Sequence, residues 1–364
     1  MKLLYITNGI NGSGGLERVL SIKTSYLADQ LGYTVHIVGL NNSTSDLFYH
    51  FSKAIQLHDI AVGGNPLSYV KSYALGLKKV IAQVQPDIIL VCDDGLKAFF
   101  LPLLLGKKIP IVYERHVSKQ IENRKNSGFV KKLVTQFKLK LMTILATRFD
   151  KFIVLTEQNK SEWNAKNLQV IPNPLSFYPT ESSTLNNKKV IAVGKQSHQK
   201  GFDRLLRSWK IVYEKHPDWT LEVYGKKDAS MQLEALASEL KIENSVQFHH
   251  PEKNITDKYL ESSIYVLSSR FEGFGMVLIE AMACGVPCVS FDCPFGPSDI
   301  IQHNQDGIIV ENDNEIAFGE AISTLIENDE LRHKMGTLAK QNVKRFLPEQ
   351  IMPQWDILFK SLVP

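Results

Sequence analysis

Two glutamates, Glu272 and Glu280, stand eight positions apart in the stretch RFEGFGMVLIEAMACG, residues 270–285. The first precedes a glycine-containing turn and the second lies about one turn inside the apolar helix that follows. A carboxylate set among Leu278, Ile279, Ala281 and Met282 is either exposed or engaged by hydrogen-bond donors. Ribose and hexose hydroxyls are such donors; a water-facing stripe with Glu272 as a helix-end charge is the alternative. The N–H groups of Phe274, Gly275, Met276 and Val277, with Gly273 before them, open the N-terminus of that helix, a place suited to an anion. A second stretch, VGKQSHQKGFDRLL, puts Lys195 just after an apolar run and Lys200 before Gly201 at a helix start. Two ammonium groups beside a helix N-terminus suit a diphosphate, against the plainer reading of a solvated lysine pair. A third stretch, TNGINGSGGLERVL, crowds glycines and asparagines ahead of a helix beginning near Gly15. Its backbone N–H groups can hold an anion or a polar sugar. It is no dinucleotide fingerprint, because Glu17 fills a position that needs Gly or Ala and the next strand, ending VGLNN, carries no acidic residue for a ribose.

These stretches need elements that present them. LLYIT, VHIVGL, IQLHDI, DIIL, IPIVYE and KFIVL are short β-rich runs separated by helical spacings, and the rhythm restarts after residue 189 with VIAVG, LEVYG, SVQFH, SIYVLSS, PCVSF and GIIVE. Such alternation predicts α/β architecture: two doubly wound Rossmann-like domains, each a parallel sheet covered on both faces. Ligands bind at the C-terminal ends of such strands, so facing sheets would place the active cleft between the domains. The boundaries fall at 1–175 and 188–345, with a C-terminal helix, 346–364, crossing back onto the first domain. The polar segment FYPTESSTLNNKK, 177–189, reads as the linker, and Pro353 as a second break in the last helix.

The 364 residues carry 42 Lys+Arg, 38 Asp+Glu and a net charge of +4. The charge is uneven. Residues 1–175 hold 22 basic and 12 acidic side chains and the remainder 20 and 26, giving +10 and −6. A basic first half points to an anionic membrane surface, a phosphorylated acceptor or nucleic acid. Within it, Lys119, Arg124, Lys125, Lys131, Lys132, Lys138, Lys140 and Arg148 interleave with apolar residues around a single acid, Glu122. That is a basic amphipathic helix suited to an anionic membrane or a phosphate-bearing acceptor; aromatics there are few, which disfavours nucleic acid. No apolar run is long enough to span a bilayer, the N-terminus reads as a first strand rather than a secretion signal, and Cys92, Cys284, Cys288 and Cys293 read as buried free thiols. The expectation is a cytoplasmic protein, peripheral on the inner face of the cytoplasmic membrane.

Taken together, EGFGMVLIE, GK-x(4)-KG, ERH at 114–116, IPNP at 171–174, ACGVPCVSFD and the amino-terminal glycine loop resemble the retaining glycosyltransferases of the GT-B fold, family four, over nearly the whole chain. The resemblance implies that Glu280 holds the ribose hydroxyls of a nucleotide, Glu272 holds hydroxyls of the transferred sugar, and Lys195 and Lys200 neutralise the diphosphate. Lysine stands at 195 where family members more often have arginine, which removes a bidentate fork. Gly14 and Gly15 would admit the donor, His116 would meet the sugar near the reacting carbon, and His249, His250 and Pro251 would flank the base. His116, Glu272 and Lys200 are thus the expected catalytic groups. No metal or other cofactor is implied, and Asp93-Asp94 reads as a loop charge. The donor expected is a UDP-linked galactose, N-acetylgalactosamine or glucose, the last impression resting on DCPFGPSDII. The acceptor expected is a saccharide, free or lipid-linked, in surface polysaccharide, capsule or lipopolysaccharide synthesis. A nucleotide-sugar epimerase of the same fold and a non-catalytic two-lobed sugar-binding protein are the competing readings.

Overall fold

The structure, a computed structural model, describes residues 1–122 and 129–363. It has two compact units, Met1–Ser176 with Pro348–Pro364, and Phe177–Leu347. The first is built on strands β1 (Lys2–Thr7), β2 (Thr34–Leu40), β3 (Gln56–Ile60), β4 (Ile88–Cys92), β5 (Ile111–Glu114), β6 (Lys151–Val154) and β7 (Leu168–Val170). They form one parallel sheet in the order β3-β2-β1-β4-β5-β6-β7. Its helices are α1 (Gly15–Asp29), α2 (Pro66–Val84), α3 (Leu96–Phe99), α4 (Leu101–Leu105) and α5 (Phe129–Ala146).

The second unit carries β8 (Lys189–Val193), β9 (Thr220–Tyr224), β10 (Val246–His249), β11 (Ile264–Leu267), β12 (Cys288–Phe291) and β13 (Gly307–Val310), parallel in the order β10-β9-β8-β11-β12-β13. Around it lie α6 (Phe202–Lys215), α7 (Leu233–Glu239), α8 (Ile255–Leu260), α9 (Met276–Ala283), α10 (Pro297–Ile300), α11 (Glu315–Glu327) and α12 (Asp329–Asn342), and α13 (Pro348–Leu362) returns to the first unit. The two doubly wound sheets predicted from the strand–helix rhythm are present.

Residue alternation decides what each sheet face meets. In the first unit Leu4, Ile6, Val91, Tyr113 and Phe152 join one apolar cluster with residues of α2, α3 and α5. The intervening positions, Tyr5, Cys92 and Glu114, point to the opposite face, where Lys23 of α1 and Trp355 of α13 lie. In the second unit α6 buries Phe202, Leu205, Leu206, Trp209 and Val212, a helical spacing that turns one stripe onto the sheet.

Two expectations are corrected here. The segment 177–189 is no free linker. Ser183 N–H donates to the Cys284 carbonyl at 2.8 Å, its hydroxyl to the Ser262 carbonyl, and Leu185 is buried. Its serines serve as hydrogen-bonding anchors, so its polarity reflects docking rather than solvation. Nor does Pro353 break the last helix: α13 runs through it. The bond it forgoes is to the Glu349 carbonyl in the first turn, near an end where helices already lack partners.

Candidate active site

In the second unit the strand order turns at β8, which has β9 on one side and β11 on the other, so the loops after β8 and β11 flank the switch point where open α/β sheets take ligands. After β8 the chain makes a short 3-10 turn, His198–Lys200, and enters α6 through Gly201 at φ 64°. Only glycine fits there: a Cβ would lie 2.2 Å from the Ser268 carbonyl oxygen. The close approach brings Lys200 to the loop after β11. Lys200 Nζ donates to Glu272 Oε1 at 2.7 Å, the Ser269 hydroxyl donates to the same oxygen, and Glu272 N–H donates to the Pro294 carbonyl at 2.7 Å. Glu272, 5% exposed, is therefore held from both its backbone and its side chain.

The following helix, α9, begins after Gly275 at φ 104°, with no side-chain cap. Its first-turn N–H groups, at Met276 and Val277, lie at the open end of a short dipole. Phe274 is buried behind this turn. Glu280, one turn in, is fully buried, and the Tyr259 hydroxyl donates to its Oε2 at 3.3 Å. The water-facing alternative for Glu280 is thereby removed. Lys195 is exposed at the start of the β8 loop, and His250 is exposed after β10, the strand at the edge of the sheet. His249 is drawn away from that edge, stacked on Tyr224 with its Nε2 against Glu222.

Two arginines hold this arrangement and escaped the sequence reading. Arg204, 2% exposed on α6, donates to the carbonyls of Ser268 and Ser269 and reaches Asn312 and Asp313. Arg270 makes a two-pronged pair with Asp203 at 2.8 and 2.6 Å. Burial pushes the Asp203 carboxyl up, but Arg270 more than reverses this and keeps it below the usual carboxylate range. Helical spacing sets Arg204 off the apolar stripe of α6, on the side of Arg207, Ser208 and Ile211, so nothing local marks it as buried.

In the first unit the strand order turns between β1 and β4. Gly14 caps α1 and Gly15 opens it, without a side-chain cap. The loop is not an empty anion cradle, however. Cβ atoms built on Gly12 and Gly14 would fall within 2.4 and 2.6 Å of the Glu17 carboxylate, so a negative charge already lies against this turn and favours a polar, uncharged sugar there over a phosphate. Asp93 and Asp94 are not loop charges. Asp93, 1% exposed, accepts from Asn8 Nδ2 and Gly95 N–H at 2.8 Å; Asp94 accepts from His116 N–H at 3.2 Å and faces Arg115 at 3.3 Å. Burial raises the Asp94 carboxyl, against the opposing pull of Arg115 and His116. The pair fails as loop charge because each carboxylate is spent on pinning a neighbouring strand end.

His116 follows β5. Its side chain is 5% exposed, neither ring nitrogen has a hydrogen-bond partner, and Nε2 faces Glu114 Oε2 at 3.4 Å. Cys92, Glu114 and His116 bring one donor atom each within 4.8 Å of one another, but the Lys23 ammonium is already bonded to Glu114, so the chain itself supplies the cation of that pocket. The basic residues Arg124 and Lys125 lie outside the described residues. Lys131, Lys132 and Lys140 on α5 are exposed, and Lys138 is half-buried. No helix among the described residues is long and apolar enough to cross a membrane.

Comparison with known proteins places the fold and the family. Residues 13–176 match the family described as Glycosyltransferase Family 4, and residues 180–342 the family described as Glycosyl transferases group 1. The chain is 30% identical, over 98% of its length and 99% of the relative's, to the amylovoran biosynthesis glycosyltransferase AmsD of Erwinia amylovora. It is 29% identical to an uncharacterised glycosyltransferase of Haemophilus influenzae, over 97% and 98% of the two chains. Among solved structures, Anabaena Alr3699/HepE in complex with UDP-glucose superposes with a TM-score of 0.79 at 19% identity, covering 100% of both chains. The chain belongs to the glycosyltransferases, and its two Rossmann-like units are those of the GT-B fold.

Proposed function

We propose that this glycosyltransferase moves a hexose from a nucleotide-diphosphate sugar to a saccharide hydroxyl with retention of configuration. The donor proposed is UDP-linked galactose, N-acetylgalactosamine or glucose. The observation that carries the proposal is the ion pair of Lys200 and Glu272 beside the uncapped start of α9, with Glu280 buried one turn inside the same helix. In this reading Glu280 accepts from the ribose hydroxyls, Glu272 from the sugar, and the diphosphate meets Lys200, Lys195 and the α9 N–H groups. The bond between the anomeric carbon and the leaving diphosphate oxygen breaks as the acceptor oxygen bonds to the same face. The acceptor proton passes to the leaving diphosphate. The protein's task is to stabilise the departing charge with fixed cations and dipoles, and His116 contacts the sugar near the reacting carbon. No metal is invoked. The HepE complex named above contains UDP-glucose, which favours a UDP-sugar, and AmsD is named for amylovoran biosynthesis, which favours a role in bacterial polysaccharide assembly.

The acceptor side of the proposal is a saccharide, free or lipid-linked, met at an anionic membrane surface on the cytoplasmic side. Val130, Leu133, Val134, Phe137 and Ile144 fall on one stripe of α5 and are all exposed, Val130 and Phe137 by 71% and 70%. Helical spacing puts Lys131 and Lys138 along one border of that stripe and Lys140 along the other. Among the described residues, Ile316 is the second unit's one exposed large apolar side chain, whereas the first unit also exposes Leu67, Val70, Phe100 and Leu103.

The test is thermal shift and UDP release with a panel of UDP- and GDP-sugars, with and without saccharide acceptors, repeated in EDTA. Expected are a raised melting temperature with UDP, acceptor-stimulated UDP release unaffected by EDTA, and an α-configured product by NMR from an α-linked donor. No shift with any nucleotide sinks the donor site; donor conversion without acceptor makes the protein an epimerase.

A further inference from the structure

Burying a lysine and a glutamate together is costly unless each answers the other, and this chain does so directly behind His116. Lys23 on α1 and Glu114 on β5 are each 1% exposed and directly bonded. The ammonium is walled by the Trp355 ring of α13 at 4.1 Å and the Tyr5 ring at 5.2 Å. Glu114 and His116 share a sheet face because they are two residues apart on an extended chain. The same Glu114 Oε2 that binds Lys23 lies 3.4 Å from His116 Nε2, an ion contact rather than a well-formed hydrogen bond.

Among the described residues, the other titratable groups around this carboxylate are held by burial or by other partners. The Cys92 thiol on β4 is pushed well up by burial and then by Glu114, so it stays protonated. The Tyr5 phenol on β1 is raised by burial and then by Glu114, and stays neutral. Asp94, from the loop after β4, is committed to the His116 backbone N–H and to Arg115. Burial pushes the Glu114 carboxyl up, and Lys23, followed by His116, more than reverses this and holds it down at about 2. The carboxylate facing His116 Nε2 is thus Glu114, kept ionised by Lys23, while Asp94 also feels the His116 ring from the loop after β4.

We infer that Glu114 and Lys23 are positioning residues for His116: the buried ion pair fixes the orientation of the imidazole at the mouth of the first sheet. The inference rests on the proposed role of His116 in transfer for its functional weight, but its physical content is separate.

The experiment follows the His116 ring by NMR in the full-length protein, its signals assigned by their loss in His116→Gln. Glu114→Gln removes the carboxylate facing Nε2, so the ring should lose its single orientation: its NOE contacts with neighbouring protons should weaken and its signals broaden or shift. Lys23→Met combined with Glu114→Gln leaves no lone buried charge, keeps the fold if the single variant loses it, and should release the ring in the same way. In either folded variant kcat should drop about 10- to 100-fold with the donor KM little changed. Ring signals and contacts unchanged in both variants overturn the inference, whatever the rate does. A released ring with an unchanged rate upholds the positioning of the ring and instead removes His116 from the reaction.

Discussion

Lys200 and Glu272 are 72 residues apart in sequence, and Lys200 Nζ donates to Glu272 Oε1 at 2.7 Å. Sequence reasoning assigned them to different parts of one ligand, the diphosphate and the sugar. The fold makes them partners before any ligand arrives. Each fixes the other's rotamer, so in the proposed reading a diphosphate would meet an ammonium already aimed at the switch point, and the carboxylate does not face a buried void. Gly201 makes the pairing possible by letting α6 start against the Ser268 carbonyl.

This pairing changes what a lysine deletion should do. Lys200→Ala removes a cation from the proposed leaving-group site and also leaves the buried Glu272 without its ammonium partner. Turnover should fall about 100- to 1,000-fold, while stability falls about 1–3 kcal/mol, less than for a fully buried pair because the lysine retains some solvent contact. Lys200→Met with Glu272→Gln should recover most of the melting temperature and none of the activity. Recovery of both would make the pair a structural bridge only.

Glu280→Gln keeps the shape of the side chain and its contact with Tyr259, but exchanges an ionised acceptor for a neutral one. Calorimetry should find UDP binding weakened by about tenfold, the value of a charge-assisted hydrogen bond over a neutral one. The fold should be unaffected, as judged by circular dichroism. Unchanged affinity would take the ribose away from this residue.

The two sheets, the loops that bear the site and the helix carrying Glu280 were legible because each rests on a local pattern: apolar runs of strand length, helical spacing, glycines at turns. What was not legible is set by distance along the chain. Nothing near Asp94 indicates that it accepts from His116 N–H, nothing near Ser183 that Cys284 and Ser262 would use its hydrogen-bonding groups, and nothing near Glu114 that Lys23 would neutralise it. In each case a polar residue that looks solvated alone is consumed by a partner brought in by the sheet order. Glu17 was the exception: it stands three positions beyond Gly14, so its role had a local trace.

Acid should act on the first unit through Glu114. Its folded value of about 2 lies below the ordinary 4.5, so the folded state binds fewer protons than the unfolded chain between those values. The stabilisation is present above about pH 4.5 and is lost as pH falls toward 2, on the order of 3 kcal/mol in total. Denaturant unfolding of wild type between pH 6 and 2.5 should show this slope, and Lys23→Met with Glu114→Gln should flatten it. An equal slope in the double variant would assign the acid sensitivity to other carboxylates.

If α5 docks on a membrane as proposed, its apolar stripe and its lysines make separable contributions. Each lysine near an anionic surface adds about 1 kcal/mol and is screened by salt, whereas an inserted aromatic or aliphatic side chain is not. Replacing Lys131, Lys132, Lys138 and Lys140 by Gln should therefore release the protein from vesicles containing an anionic lipid at low salt, and remove most of the salt dependence of binding. Phe137→Ser with Leu133→Ser should weaken binding at every salt concentration, leaving its salt dependence in place. Because all of these side chains except the half-buried Lys138 are exposed, neither set should lower the melting temperature by more than a few degrees or change the rate with a water-soluble acceptor. If cosedimentation is unchanged in both sets, α5 is a solvated helix and the membrane contact lies elsewhere or does not exist.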